Sequence, residues 1–372
     1  MSFPKFNRNK LAVKSLSDRK NQISIAEKQI PLTYRPENLP GQDRKLIRTT
    51  AGKIIKARKE KRPVILAFGA HTIKNGLGTI LIELISKGWV THLATNGAGI
   101  IHDWEFAFQG QSGEDVRENV RSGQFGIWEE TGLFINLALV VGAFEKLGYG
   151  ESIGRMISRE GLNIPEQAFL INEAIKNMKV DPEYASSAID LYETIKKRRI
   201  KPGFMSIPHP FRKYSVQCAA YDLRIPFTAH PMFGHDIIYT HPLNHGAAIG
   251  RTALTDFLRF AGSVSTLENG VYMSVGSAVM SPMVFEKSLS MAQNIEIQHN
   301  KHIDNHFMLV VDLAKNEWDW NRNGEPPADN PAYYLRYLKT FNRMGGEMHY
   351  LSADNRDFLS ELCHDLSEEE YA

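Results

Sequence analysis

The sequence predicts an α/β fold: a mostly parallel sheet with helices on both faces. Two observations carry that expectation. Residues 64–105, VILAFGAHTIKNGLGTILIELISKGWVTHLATNGAGIIHDWE, read as strand, loop, helix, strand and loop. From Gly203 onward, apolar runs again alternate with helical patterns. Strands that are apolar throughout and alternate with helices belong to a parallel sheet buried on both sides.

The elements follow in chain order. Residues 1–45 form a basic arm, punctuated by Pro31, Pro36 and Pro40. KLIRTTAGKIIKARKEK, 45–61, carries apolar residues at helical spacing. The first unit has strands at 64–68 and 90–95 and a helix over 72–87. Residues 113–200 read as wholly helical, with a long apolar pattern in FGIWEETGLFINLALVVGAFEKLG. Further strands are expected at 204–207, 226–228, 271–275, 307–312 and 347–351. Helices are expected at 212–223, 246–261, 280–297, 331–342 and 354–366. One α/β domain, 46–366, would thus carry a helical insertion and end in a short tail, 367–372.

Composition narrows the function classes. A chain of 372 residues with 42% hydrophobic content holds an ample core. No apolar stretch approaches membrane-span length, and the first residues lack the apolar core of a signal peptide. With only Cys218 and Cys363, neither a disulfide framework nor a cysteine metal site is expected. A cytoplasmic protein is the default. Residues 1–62 hold 17 Lys+Arg against 5 Asp+Glu, and the remainder is acidic. A basic arm on an acidic body binds nucleic acid or docks on a neighbouring subunit. Docking is favoured, because the arm has few aromatics on which bases could stack.

The two loops GAHTIKNG and NGAG follow strands. Ligands of open parallel sheets bind at such carboxyl ends. Glycine lets backbone N–H groups approach a phosphate, and a helix start favours an anion. Gly69, Gly76, Gly97 and Gly99 could equally only make turns, and neither common phosphate fingerprint is present. His209, His230, His235, His241 and His245 cluster in sequence with Asp236. HDIIYTHPLNH could offer metal ligands, but Pro242 disrupts a helical pair at His241 and His245. No metal is expected. Loop residues such as His235, Asp236 and His241 can instead position a substrate or shuttle protons. SVGSAVM, 274–280, ends a strand in small residues. WDWNRNGEPPADNP, 318–331, is a polar loop with two Trp. Asp354, in SADN, either takes a ribose hydroxyl or caps a helix.

FGAHTIKNG, ATNGAGIIHD, SVQCAAYDLRIPFTAHPMFGHDIIYTH, GVYMSVGSAVM, FMLVVD and MHYLSAD resemble, in order, the sheet segments of deoxyhypusine synthase. The likeness runs from about 63 to 366 and is poor over 113–200. The resemblance implies a Rossmann-like fold, NAD as cofactor, and a homotetramer of paired active sites in which a basic N-terminal segment plugs a neighbouring site. That family transfers an aminobutyl group from spermidine, through an active-site lysine, to a protein lysine. Gly69, Ala70, His71, Asn75 and Gly76 fall on its first cofactor loop. Asn96, Gly97, Ala98 and Gly99 fall on the second. Asp103 keeps an acid there, while Ile101 and His102 replace two glutamates. Ala353 and Asp354 fall on a late cofactor contact, and Asp236 and His241 on the active-site Asp and His.

The substrate half departs from the family. Where it has an acidic loop, this chain has DWNRNG, with Arg322 in place of an acid. The positions expected to carry Glu, Trp and the catalytic Lys fall on Asp329, Tyr333 and Leu335, or on Arg336 one residue on; Lys339 lies a helical turn beyond. Arginine does not form the imine. The expected activity is therefore that of an NAD-dependent transferase or oxidoreductase acting on an amine or amino-acid-like substrate. His241 would act as base, Asp236 would fix the substrate or the imidazole, and His235, Asn244, His245, Arg322, Asp329, Tyr333 and Arg336 would line the substrate. The alternatives are a true deoxyhypusine synthase using Lys339 and a non-catalytic NAD- or metabolite-binding assembly protein.

Overall fold

The structure, a computed structural model, describes residues 3–370, with side chains through residue 368. The described chain divides into two compact units. Residues 3–27, 100–218 and 231–255 form a helical unit. Residues 28–99, 219–230 and 256–370 form a sheet unit. The chain passes from one to the other five times, at 27/28, 99/100, 218/219, 230/231 and 255/256. The sequence read instead as one domain over 46–366.

The sheet unit contains six parallel strands: β1 Val64–Phe68, β2 His92–Thr95, β3 Phe227–Ala229, β4 Val271–Val275, β5 Phe307–Asp312 and β6 Glu347–Ser352. Their spatial order is β3-β2-β1-β4-β5-β6. β1 and β4 are buried along their whole length, as strands with helices on both faces must be. On one face, Ile65, Ala67, Tyr272, Met308 and Val310 pack with Phe285, Leu289, Leu338 and Phe341 from the helices Met280–Ile297 and Arg336–Asn342. On the other, Gly41–Lys59 packs beside Asn355–Glu370, joined by ion pairs of Arg44 with Glu361 and of Arg48 with Asp365.

Four helices dominate the helical unit: Glu129–Phe144, Tyr149–Arg159, Gln167–Asn177 and Pro182–Arg198. The first is buried on nearly every side, which its apolar composition requires. Asp181 caps the last through Tyr184 N at 3.0 Å, with Pro182 in the first turn. No single described helix is long and apolar enough to cross a membrane.

Several expectations need correction. The block 113–200 is not wholly helical, because Gly161–Ile164 is a strand. It pairs antiparallel with Gly203–Ser206, so the run expected at 204–207 lies outside the parallel sheet. The helix expected over 72–87 is two helices, Ala70–Lys74 and Gly78–Ser86. They break at Gly76, which has φ +81° and stands so close to the Lys28 carbonyl that no Cβ fits. The segment expected as a tail continues the last helix to Glu370; residues 371–372 lie outside the described residues.

Several residues of the basic arm bond to their own chain. Arg8 donates to Tyr239 O at 2.6 Å and to Asn244 Oδ1 at 3.0 Å. Leu16 N donates to Glu130 at 2.5 Å. Arg19 forms a buried two-pronged pair with Glu105 at 2.8 and 2.7 Å. Residues 28–40 belong to the sheet unit, where Tyr34 donates to Asp357 at 2.9 Å.

Candidate functional site

The strand order reverses between β1 and β4, which makes their carboxyl ends the switch point of a doubly wound sheet. Phe68 pairs with Val275, so Gly69 and Gly276 leave the sheet side by side. Past β1, β4 and β6 the first residue bonds to a neighbouring strand. Gly69 N donates to Val275 O at 3.0 Å, Gly276 N to Val311 O at 2.9 Å, and Ala353 N to Asp312 O at 3.1 Å. A Cβ on Gly69 would collide with the Gly276 carbonyl, so the backbones themselves touch here. Gly276, at φ +56°, has open space where a side chain would stand.

Beside this point a cavity of about 220 Å³ is lined by His71, Asn75, Gly276, Val311, Asp312, Leu313, Ala353, Asp354 and Asn355. It gathers four of the expected cofactor residues: His71, Asn75, Ala353 and Asp354. Asn75 donates to Asn355 Oδ1 at 2.9 Å, and Asn355 to Thr72 Oγ1 at 3.3 Å, which ties the first loop to the last helix. Asp312 Oδ1 accepts Leu313 N at 2.8 Å, and Asp354 Oδ1 accepts Arg356 N at 2.8 Å. Asp354 is therefore both a helix cap and a cavity acid. A larger cavity of about 370 Å³ includes Val271, Phe307 and Glu347 in its lining, the first residues of their strands. That is the opposite edge from the one at which open α/β sheets bind ligands.

The second loop lies at the end of β2. Asn96 Oδ1 accepts Gly99 N at 2.9 Å, and Gly99 packs so tightly on Thr95 that a side chain would overlap it. Gly97 is buried and Ala98 half-buried. None of these four lines the 220 Å³ cavity. Gly76 serves the turn against Lys28, and Ala70 starts the short helix.

Asp103 is a correction. It is buried and accepts from Ser215 Oγ at 2.6 Å, Val216 N at 2.8 Å, Gln217 N at 3.2 Å and Gln217 Nε2 at 2.9 Å. Burial pushes its pKa up against those bonds. Its capacity is spent on anchoring the start of the helix Val216–Asp222, not on a cofactor.

In the helical unit the GHDIIYTHPLNH segment is pinned to the helix Glu129–Phe144. Asn136 Nδ2 donates to Ile238 O at 3.0 Å, and Asn244 Nδ2 to Asn136 Oδ1 at 2.9 Å. His241 is 3% exposed and seats its ring against Gly132, where a Cβ would fall 2.6 Å from it. Its Nδ1 accepts Leu243 N at 3.1 Å, so Nε2 carries the hydrogen that points to Glu129 at 3.3 Å. Burial lowers its pKa, partly offset by Glu129, and the charges of Arg198 and Arg8 lower it further. With both nitrogens engaged, His241 is a positioned ring rather than a free base.

Asp236 is the opposite case. Its Oδ2 is buried with no hydrogen-bond partner, and burial pushes its pKa up to about 6. Tyr239, whose hydroxyl is likewise buried and unpartnered, is pushed up to about 12. His245 accepts Ala248 N at 3.3 Å and lies 3.6 Å from Asp190, as a helix-entry residue. Asn244 is held by Arg8 and Asn136, and His235 is exposed.

The remaining expected residues do not form a shared pocket. Arg322, Asp329 and Arg336 are exposed. Lys339 Nζ lies 2.8 Å from Glu325 and 3.4 Å from the centre of the Tyr333 ring. The clustered histidines also separate. His230 is half-buried at the end of a chain through Thr228 to His92, with steps of 3.0 Å. His209 packs against Trp104 and Phe108. Among the described residues, no group of three metal-ligating side chains comes together. Sequence reasoning missed Glu129, Asn136, Asp312 and Asn355. Asn136 had a signal: Gly132 and Asn136 stand one turn apart in an otherwise apolar helix.

These features define the class: an α/β protein with a Rossmann-like sheet, β3-β2-β1-β4-β5-β6, and an open cradle at its switch point. No model of a known family matches the chain, and no curated protein matches it. Among solved structures it is similar to unliganded AgrE, with 16% identity and a TM-score of 0.45 over 90% of this chain and 34% of that one. It is similar to a conserved putative LOR/SDH protein from Methanococcus maripaludis S2, with 12% identity and a TM-score of 0.44 over 92% of this chain and 74% of that one. It is also similar to apo ArgZ, an arginine dihydrolase from the ornithine-ammonia cycle in cyanobacteria, with 13% identity and a TM-score of 0.43 over 90% of this chain and 33% of that one. The chain thus spans about a third of the length of AgrE and ArgZ.

Proposed function

We propose that this protein is an NAD-dependent enzyme, a transferase or oxidoreductase, acting on an amine or amino-acid-like substrate. The observation that carries the reading is the cradle where Gly69 and Gly276 meet, opening beside a cavity with Asp312 and Asp354 on its wall. The residues present fit a dinucleotide in part of its length. Whole-ligand pockets run to roughly 300–1,000 Å³, so about 220 Å³ suits one nucleoside half. The free oxygens of Asp312 and Asp354 would accept ribose hydroxyls; the amides of Gly69, Gly276 and Ala353 are already bonded to neighbouring strands.

NAD, when bound, supplies a hydride acceptor. Asp236 can hold or release a proton at Oδ2 near neutral pH, because burial places its pKa at about 6. Glu129 keeps the His241 ring in one orientation and one tautomer. The homotetramer and the cytoplasmic location expected from the sequence belong to the same proposal, as does descent from the deoxyhypusine synthase family, which stands on the sequence segments alone.

A true deoxyhypusine synthase would need Lys339 as a nucleophile. Its ion pair with Glu325 and its stacking on Tyr333 weigh against that role. Calorimetric titration with NAD, with and without Asp354→Ala, tests the main reading: binding is expected for the native protein, weakened at least tenfold by the substitution. A native protein that binds no NAD sinks it. Borohydride trapping with spermidine and NAD tests Lys339; no adduct is expected.

A further inference from the structure

We infer that Arg198 is the residue of the helical unit that takes an anionic group of the substrate, a carboxylate or a phosphate, beside His241. The inference rests on the enzyme reading above and adds the substrate's charge to it.

The helices Glu129–Phe144 and Pro182–Arg198 pack with opposite directions. Phe144, the last residue of the first, stacks on Tyr184 near the start of the second, with centroids 5.2 Å apart and planes at 22°. The helices have 16 and 17 residues, hence nearly equal length. The end of the second therefore comes alongside the start of the first, which brings Arg198 towards Glu129. Glu129 in turn holds His241 Nε2 at 3.3 Å. The helix stops directly after Arg198, where Arg199 turns left-handed at φ +53°.

Two arginines act on the His241 ring, and they are not equivalent. Arg8 is engaged through both terminal nitrogens: it donates to Tyr239 O at 2.6 Å, to Asn244 Oδ1 at 3.0 Å and to Asn244 O at 3.2 Å. Arg198 is not, because its Nη2 is buried and has no hydrogen-bond partner in the protein. A buried guanidinium donor left without an acceptor is costly and uncommon in native proteins. Its planar fork matches the two oxygens of a carboxylate or phosphate. A cation in the last helical turn also offsets the helix dipole. Lys196 and Lys197 already do so from solvent, and that role does not call for a buried, partnerless nitrogen. Arg322 and Arg336, the arginines singled out from the sequence for this purpose, are exposed in the sheet unit.

The test uses the full-length protein and two probes, inorganic phosphate and acetate, each titrated calorimetrically. The His241 ring is followed by NMR in protein carrying labelled histidine. The native protein should bind at least one anion, with the His241 signals moving as the site fills; the tighter probe tells phosphate from carboxylate. Arg198→Gln should weaken binding at least tenfold and remove the His241 response. Arg198→Lys should restore part of both, and it keeps the test open if the Gln variant folds poorly. Lys197→Gln, at an exposed neighbour, should change nothing. The inference is overturned if the native protein binds neither anion, if Arg198→Gln binds as well as native, or if Lys197→Gln weakens binding equally. NAD titration of the same samples separates the two claims: Arg198-dependent anion binding without NAD binding rejects the cofactor, not the anion site.

Discussion

Gly69 and Gly276 meet backbone to backbone at the carboxyl edge of the sheet, with no room for a Cβ on Gly69 between them. The contact follows from register, since the strands they leave end on the paired residues Phe68 and Val275. A methyl group at Gly69 must push the Gly276 carbonyl aside. Overpacking of this kind costs about 1–3 kcal/mol. Gly69→Ala should therefore lower stability to urea by that amount and reduce NAD affinity, because the cradle itself shifts. Unchanged unfolding and unchanged NAD titration would contradict the geometry.

Asp312 and Asp354 set the expected choice between NAD and NADP. No Lys or Arg lines their cavity. A 2′-phosphate placed there would meet two carboxylates and no cation. NAD should bind at least tenfold more tightly than NADP, a gap of about 1.4 kcal/mol. Asp312→Ser with Asp354→Ser should narrow the gap. Equal affinities in the native protein would count against the assigned orientation.

Asp236 predicts a pH effect of definite sign. Burial raises its pKa from 3.8 to about 6 in the folded protein. Between those values the folded state binds more protons than the unfolded state, so stability falls as pH rises through the window. Asp236→Asn removes the loss. The variant should gain roughly 1–3 kcal/mol over native at pH 7, allowing for partial exposure, and almost nothing at pH 4. It should also lose turnover, if Asp236 handles the proton. Thermal melts across pH decide the first point. A constant difference between the two proteins would refute it.

Arg19 and Glu105 form a buried pair, with side chains 2% and 1% exposed. Burial alone would raise the Glu105 pKa; the Arg19 guanidinium overcomes it and, with Ser112, holds the acid below its usual range. Arg19→Ala strands a buried carboxylate and should cost about 3–5 kcal/mol at neutral pH. A depressed carboxylate adds stability that is present above its unfolded pKa and is lost as pH falls through the folded one. The penalty should thus shrink in acid. Denaturant melts at two pH values measure both effects. Arg19→Met with Glu105→Leu should recover much of the loss.

The strands were legible because a strand buried on both faces must be apolar along its length, as VILAF and FMLVV are. The glycines past β1 and β2 were legible because a loop leaving such a strand must turn at once. Asp354 was legible as an acid just past a strand, Asn75 through likeness to a family, and the cavity gathers both. Lys339, Arg322 and Arg336 were placed by likeness to the same family; Arg322 and Arg336 are exposed. Lys339 is paired with Glu325, a residue whose sequence position carries no sign of that contact. Asp103 looked like a cofactor acid, but only the fold reveals the four donors around it.

By itself, the sequence determined the six strands of the parallel sheet, most of the helices, and where the chain turns at the sheet's carboxyl edge; the strand Gly161–Ile164 and the break at Gly76 were not among its readings. What it determined follows from local alternation of apolar and polar residues and from the freedom of glycine. The tertiary structure alone decided the strand order, the meeting of Gly69 with Gly276, and the division of labour among His241, Asp236 and Arg198. Those depend on contacts between residues tens to hundreds of positions apart. Burial and hydrogen-bond satisfaction, which no local pattern encodes, determine whether a polar side chain there is spent or free.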